Sequence, residues 1–186
     1  MLRKRAFLMA AMLFAAPVLA VDVAGVKLDD KATVGGQELV LNGAGVRTKM
    51  MFKVYVGSLW VPAKATTAAA VYAKAPRRVQ LNMLRDVGAD QMIDALADGV
   101  KQGNSPAEAA AVKAQTDQLA TILKSAGQLK EGNALVFDYV DGATAVVLNG
   151  AVKGTIAGEA FNKALLNAWL GEDPVQSDLK KAMLGG

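Results

Sequence analysis

The sequence contains neither cysteine nor histidine. Zinc sites built on those residues cannot form, and neither can Ser-His-Asp, Cys-His or thiol–disulfide chemistry. A disulfide scaffold is excluded as well. Any catalysis would fall to carboxylates, Lys, Arg, Tyr, Ser or Thr. Aromatic residues are also scarce, at 5% against 53% apolar residues overall, so the core must be built from Ala, Val, Leu and Met. That composition belongs to a folding globule and not to a disordered chain. The 186 residues suit one domain. A nucleotide-binding glycine motif is missing too. Gly43 and Gly45 begin a G-x-G, but no third glycine stands three residues on, and the pattern that follows is a strand. No cofactor is expected.

What is present begins with an address. Arg3, Lys4 and Arg5 form a basic start, and Ala6 to Ala20 is apolar except for Pro17. Val18-Leu19-Ala20 ends the run with small residues at the cut-site positions, the three-part pattern of a secretory signal peptide. Read as a membrane anchor, the run of roughly 15 residues falls short of the ~20 needed to span. Residues 1–20 are therefore expected to be a signal cleaved after Ala20, with residues 21–186 as the mature domain and the periplasm as its location. Cleavage removes three of 21 basic residues and no acidic ones, leaving 18 against 17 and a charge of +1 in place of +4. No basic stripe remains to favour nucleic acid, and no later segment is long and uncharged enough to span a membrane.

Along the mature chain, Val23–Leu28 and Glu38–Leu41 read as short strands, separated in part by a polar loop at Asp29–Lys31. Asn42-Gly43-Ala44-Gly45 reads as punctuation. Val46–Val61 reads as one long strand, apolar on both parities from Val54 onward and so central in a sheet. Thr66–Lys74 reads as a short helix, and Arg77–Arg85 alternates as a half-buried strand. Asp90–Lys101 is an amphipathic helix with Asp94 and Asp98 opposite its apolar face. A further helix is capped by Ser105, Pro106 and Glu108 and ends at Gly127. Ala134–Val140 and Ala143–Leu148 flank the hairpin signal Asp141-Gly142, and Asn149-Gly150 turns into Val152–Ile156. Helices at Glu159–Leu170 and Asp178–Leu184 follow. This order predicts an α+β fold, an antiparallel sheet with helices on one side.

Few residues stand out chemically. Asp90, Asp94 and Asp98 recur every four residues, either a solvated helix face or a metal cluster. Arg47 stands between a small-residue segment and a buried strand, where it must snorkel, pair structurally or meet an anion. Its planar fork suits carboxylates and enolates. Tyr55 lies on the same strand and needs a partner for its hydroxyl if buried. Trp60, Phe161 and Trp169 read as core.

Two blocks carry a resemblance. Asn42 to Arg47 followed by Phe52 to Val61, and Gly158 to Phe161 with Ala168 to Glu172 and Ser177 to Lys180, are similar to the chalcone isomerase-like family. The export signal resembles that of its bacterial, periplasmic branch. The resemblance implies an open-faced β-sandwich with a cleft between sheet and helices. In the plant enzymes an arginine stabilises the substrate oxyanion, helped by Thr, Tyr and Asn; the fatty-acid-binding members use the same arginine with a strand tyrosine. The arginine falls on Arg47 and the binders' tyrosine on Tyr55. The enzymes' strand threonine falls on Val54, their tyrosine near Gln91, their asparagine near Asp98 and a late threonine near Ala168, so their orienting hydroxyls are absent here.

The expectation is an exported, non-catalytic binder of a small anionic amphiphile such as a fatty acid, held by Arg47 and Tyr55. An intramolecular lyase acting on a phenolic ketone, with Arg47 as its catalytic residue, and an envelope structural protein with a closed cleft are the alternatives. One geometric demand follows. A straight strand would hold Arg47 and Tyr55 ~26 Å apart, so a bulge or reversal must fall within Thr48–Met51.

Overall fold

The computed structural model describes residues 20–73 and 75–186, so the expected signal segment lies outside the described residues apart from Ala20. Strands β1 (Val21–Val23) and β2 (Val26–Leu28) form a hairpin where a single strand was expected, turned by Ala24 and Gly25. Strand β3 (Lys31–Val34) starts inside the expected loop. It is followed by β4 (Gln37–Lys49), β5 (Phe52–Val61), helix α1 (Ala68–Tyr72) and β6 (Arg77–Met83). Then come α2 (Ala89–Gly103), α3 (Pro106–Ala111) and α4 (Lys113–Ala126). Strands β7 (Ala134–Val140), β8 (Ala143–Leu148) and β9 (Ala151–Ala157) lead into α5 (Glu159–Leu170) and α6 (Ser177–Met183).

Strands β3 to β9 make one antiparallel sheet whose spatial order is the chain order. Period-two alternation sorts the side chains. Leu59, Val79, Leu81, Phe137, Val146 and Ile156 face the helices and form the main core with Met92, Leu96, Leu119, Phe161 and Trp169. On the reverse face, Val56 and Trp60 of β5 join Leu39, Leu41 and Leu28 in a smaller core beneath the β1–β2 hairpin. Beyond β5 that reverse face turns polar, and Arg78 grips both oxygens of Asp138 at 2.6 and 2.7 Å. The α+β, open-faced arrangement matches the expectation, and β5 is indeed covered on both faces.

Three further local readings are corrected. The long strand Val46–Val61 is a hairpin: β4 ends at Lys49, Met50 and Met51 form the turn with Met50 at φ 57°, and Lys49 pairs with Phe52. The helix expected from Ser105 to Gly127 breaks at Val112, which is buried and leaves helical geometry; the capping box at Ser105 and Glu108 is present. The Asn42–Gly45 segment forms no turn, only a bulge at Asn42. It lies inside β4, and Gly43 and Gly45 do not have positive φ. A Cβ on Gly43 would meet the Ala182 carbonyl oxygen at 2.0 Å, and one on Gly45 the Ala182 Cβ at 2.7 Å. These glycines let α6 lie directly on the sheet.

Candidate functional site

Arg47 and Tyr55 are direct register partners across the β4–β5 ladder. The required reversal is the Met50–Met51 turn, and a register shift between Arg47 and Thr48 adds a bulge beside it. Directly opposite residues on an antiparallel pair hold their Cβ atoms ~4.5–5.5 Å apart, so the two side chains share one spot on the helix-facing side.

Gln176, just ahead of α6, fixes Arg47 in place. Its Oε1 accepts from the Thr48 backbone N–H at 2.9 Å and from Arg47 Nη1 at 3.3 Å, while its Nε2 donates to the Val46 carbonyl at 3.0 Å. Arg47 Nη1 also donates to the Thr48 carbonyl at 2.5 Å. One amide thus satisfies the backbone on both sides of Arg47 and braces the guanidinium. Nothing in the sequence around Gln176 signals this, because the bond spans 129 residues.

Tyr55 is buried, and its hydroxyl accepts from Trp169 Nε1 at 2.9 Å. Burial pushes the Tyr55 phenol up, with the Trp169 donor and the neighbouring Arg47 charge opposing it in part. The phenol therefore keeps its proton at neutral pH. With the indole occupying a lone pair, that proton is free to be donated elsewhere. Trp169, expected as core, is core and more: it stands tilted against Phe137 at 6.3 Å between ring centroids and orients the tyrosine.

A cavity of about 590 Å³ opens beside this pair, between the β4–β5 hairpin and helices α2 and α5. Val54, Val87, Met92, Leu96 and Val175 supply apolar wall, and Lys49, Arg85, Asp94 and Asp98 stand among its charged lining residues. Asp94 and Asp98 are exposed, as an outer helix face requires, and they also border the cavity. Asp90 pairs with Lys124 at 3.8 Å. Among the described residues no cluster of His, Cys, Asp or Glu is placed to hold a metal ion. Val54, Gln91, Asp98 and Ala168 all line the cavity. Of these four, only Gln91 and Asp98 bring a polar group, and none brings a hydroxyl.

A second arginine escaped sequence reading. Arg77 is buried on the helix-facing side, donates from Nε to Asn162 Oδ1 at 2.7 Å and from Nη1 to the Tyr72 carbonyl at 3.1 Å, and stacks 4.2 Å from the Tyr139 ring centre. Asn162 in turn donates to Thr144 Oγ1 at 3.0 Å. Its shared parity with Val79, Leu81 and Met83 was the available signal. Arg77 is not among the residues lining the cavity and ties α5 to β6 and β8.

The sequence matches the family model described as chalcone isomerase-like over residues 20–185. No curated protein matches it. Among solved structures, the crystal structure of a fatty-acid binding protein from Arabidopsis thaliana superposes with a TM-score of 0.68 at 12% identity, covering 90% of this chain and 96% of that one. At that identity the likeness is one of fold.

Proposed function

The chain belongs to the chalcone isomerase-like family, and within it we propose that this protein is an exported, non-catalytic binder of a small anionic amphiphile such as a fatty acid. The observation that carries the reading is the Arg47–Tyr55 register pair at the side of an apolar cavity. A carboxylate would take the Tyr55 proton as one hydrogen bond and the Arg47 donors other than Nη1 as its charged partner. The tail would lie along Val54, Met92, Leu96 and Val175, where the soft methionine adapts to its shape. A volume of about 590 Å³ falls within the ~300–1,000 Å³ of small-molecule sites. The fatty-acid binding protein of like fold supports the choice of ligand class.

The lyase reading loses support at Val54, Gln91, Asp98 and Ala168, none of which brings a hydroxyl to the cavity. The reading with a closed cleft loses support because the cavity beside Arg47 is open. Export rests on the signal pattern, and the family match beginning at residue 20 supports a domain boundary there.

Titration with medium- and long-chain fatty acids, followed by Trp emission, tests the reading. Arg47→Ala is expected to weaken binding by ~1.5–3 kcal/mol, the usual worth of a hydrogen bond to a charged group, and Tyr55→Phe by ~1 kcal/mol. Equal affinity in the wild type and the Arg47 variant would sink the assignment. Chalcone consumption at the rate of buffer alone is the expected outcome of the enzymatic assay.

A further inference from the structure

The β4–β5 turn presents an apolar tip. Met50 and Met51 are 89% and 90% exposed and Phe52 is 57% exposed, three consecutive large apolar side chains with little cover. Isolated exposed apolar residues need no explanation, but a contiguous group does. The backbone adds a second oddity. Met50 sits at φ 57°, a region where glycine or asparagine rests without strain and a long side chain does not. The turn thus keeps an apolar side chain at a conformational cost.

Charge surrounds the tip on one sign. Lys49 and Lys53 flank it in sequence, and the Arg85 guanidinium stacks 4.8 Å from the Phe52 ring centre. From Leu39 to Arg85 the sequence has no acidic residue at all. Asp86, Asp94 and Asp98 lie among the cavity-lining residues outside the hairpin. Met50 and Phe52 line that cavity too, whereas Met51 and Lys53 do not.

We propose that this hairpin tip docks on an anionic phospholipid bilayer, inserting Met50, Met51 and Phe52 between headgroups and setting the cavity mouth against the membrane. An apolar wedge ringed by Lys and Arg has the chemistry of an interfacial anchor, and the cations complement the negative surface. Docking itself is independent of what the cavity holds. Its use for moving an amphiphile between bilayer and cavity rests on the binding function proposed above.

Vesicle co-sedimentation tests it, using the chain from Val21 onward, which contains every described element and both cores. Vesicles of phosphatidylcholine with phosphatidylglycerol are expected to bind the wild type, and pure phosphatidylcholine to bind it far less. Met51→Asp is expected to lower binding about tenfold, and Lys53→Glu about fivefold or more. Both variants leave the cavity lining unchanged, so fatty-acid titration should be unaffected. Arg47→Ala should show the reverse pattern, which separates a failure of docking from a failure of ligand binding. Wild-type binding that is absent, equal on both vesicle types or unmoved by Met51→Asp overturns the proposal. A concentration-dependent dimer abolished by Met51→Asp, without vesicle binding, would assign the tip to a second copy of the chain and overturn it as well.

Discussion

Trp169 and Tyr55 are coupled through a single hydrogen bond, and the direction of that bond decides what the tyrosine can do. Because the indole N–H can only donate, the phenol oxygen must accept, and its own proton is left for another acceptor. Trp169→Phe keeps the ring and removes the donor. Ligand affinity is expected to fall by ~0.5–1.5 kcal/mol as the phenol loses its fixed orientation, and titration of the variant beside the wild type checks this. Arg47 was legible from the sequence because a cation between small residues and a buried strand demands an explanation. Gln176 was not, since its role exists only once α6 has been laid against β4. Arg77 lay in between: its parity was readable, but its partners Asn162 and Tyr72 come from elements that no local pattern joins.

At the scale of elements, α6 and the β4–β5 hairpin behave as one unit. Asn42 is buried at the bulge in β4 and makes three bonds: from Nδ2 to the carbonyls of Ala65 and Met183 at 2.9 and 2.7 Å, and at Oδ1 from the Ala65 N–H at 2.7 Å. Asn42→Ala strands those groups, each costing ~1–3 kcal/mol, so urea denaturation should show a loss of several kcal/mol. Gly45→Ala pushes a methyl group into Ala182 and is expected to cost ~1–3 kcal/mol by overpacking; the same denaturation measurement checks it. These elements also explain which turns could be read in advance. Asp141-Gly142 carries its own turn chemistry, with both residues at positive φ, and the β7–β8 hairpin stands as expected. Met50-Met51 carries none, so two strands read as one. Asn42-Gly43 carries a turn signal that close packing of a helix overrides.

For the molecule as a whole, burial of phenols sets an alkaline limit. Tyr55 and Tyr72 are both raised by desolvation, Tyr72 to about 12. In the unfolded chain each would ionise near the ordinary value of ~10. Above that pH the unfolded state releases protons that the folded state retains, so stability falls as pH rises. Below about pH 10 these groups are protonated in both states and their contribution does not change with pH. Denaturation midpoints are therefore expected to hold through neutral pH and drop steeply between about pH 10 and 12, with tyrosinate absorbance appearing alongside unfolding. The overall α+β arrangement was legible because the sheet follows chain order and each hairpin pairs neighbours. The cavity was expected from the family resemblance alone and not from any local pattern, since it is the space left between α2, α5 and a hairpin that read as a single strand.

Gln176 and Met183 reach back to Arg47 and Asn42 across 129 and 141 residues. A ribosome delivers the arginine long before the amide that braces it. The bracing of Arg47 and the bonding of Asn42 therefore wait on residues made near the end of the chain. On the binding function proposed above, ligand occupancy would then report a chain completed through residues 176–183. A product truncated ahead of Gln176 would lack both the amide that braces Arg47 and the Met183 carbonyl that Asn42 bonds.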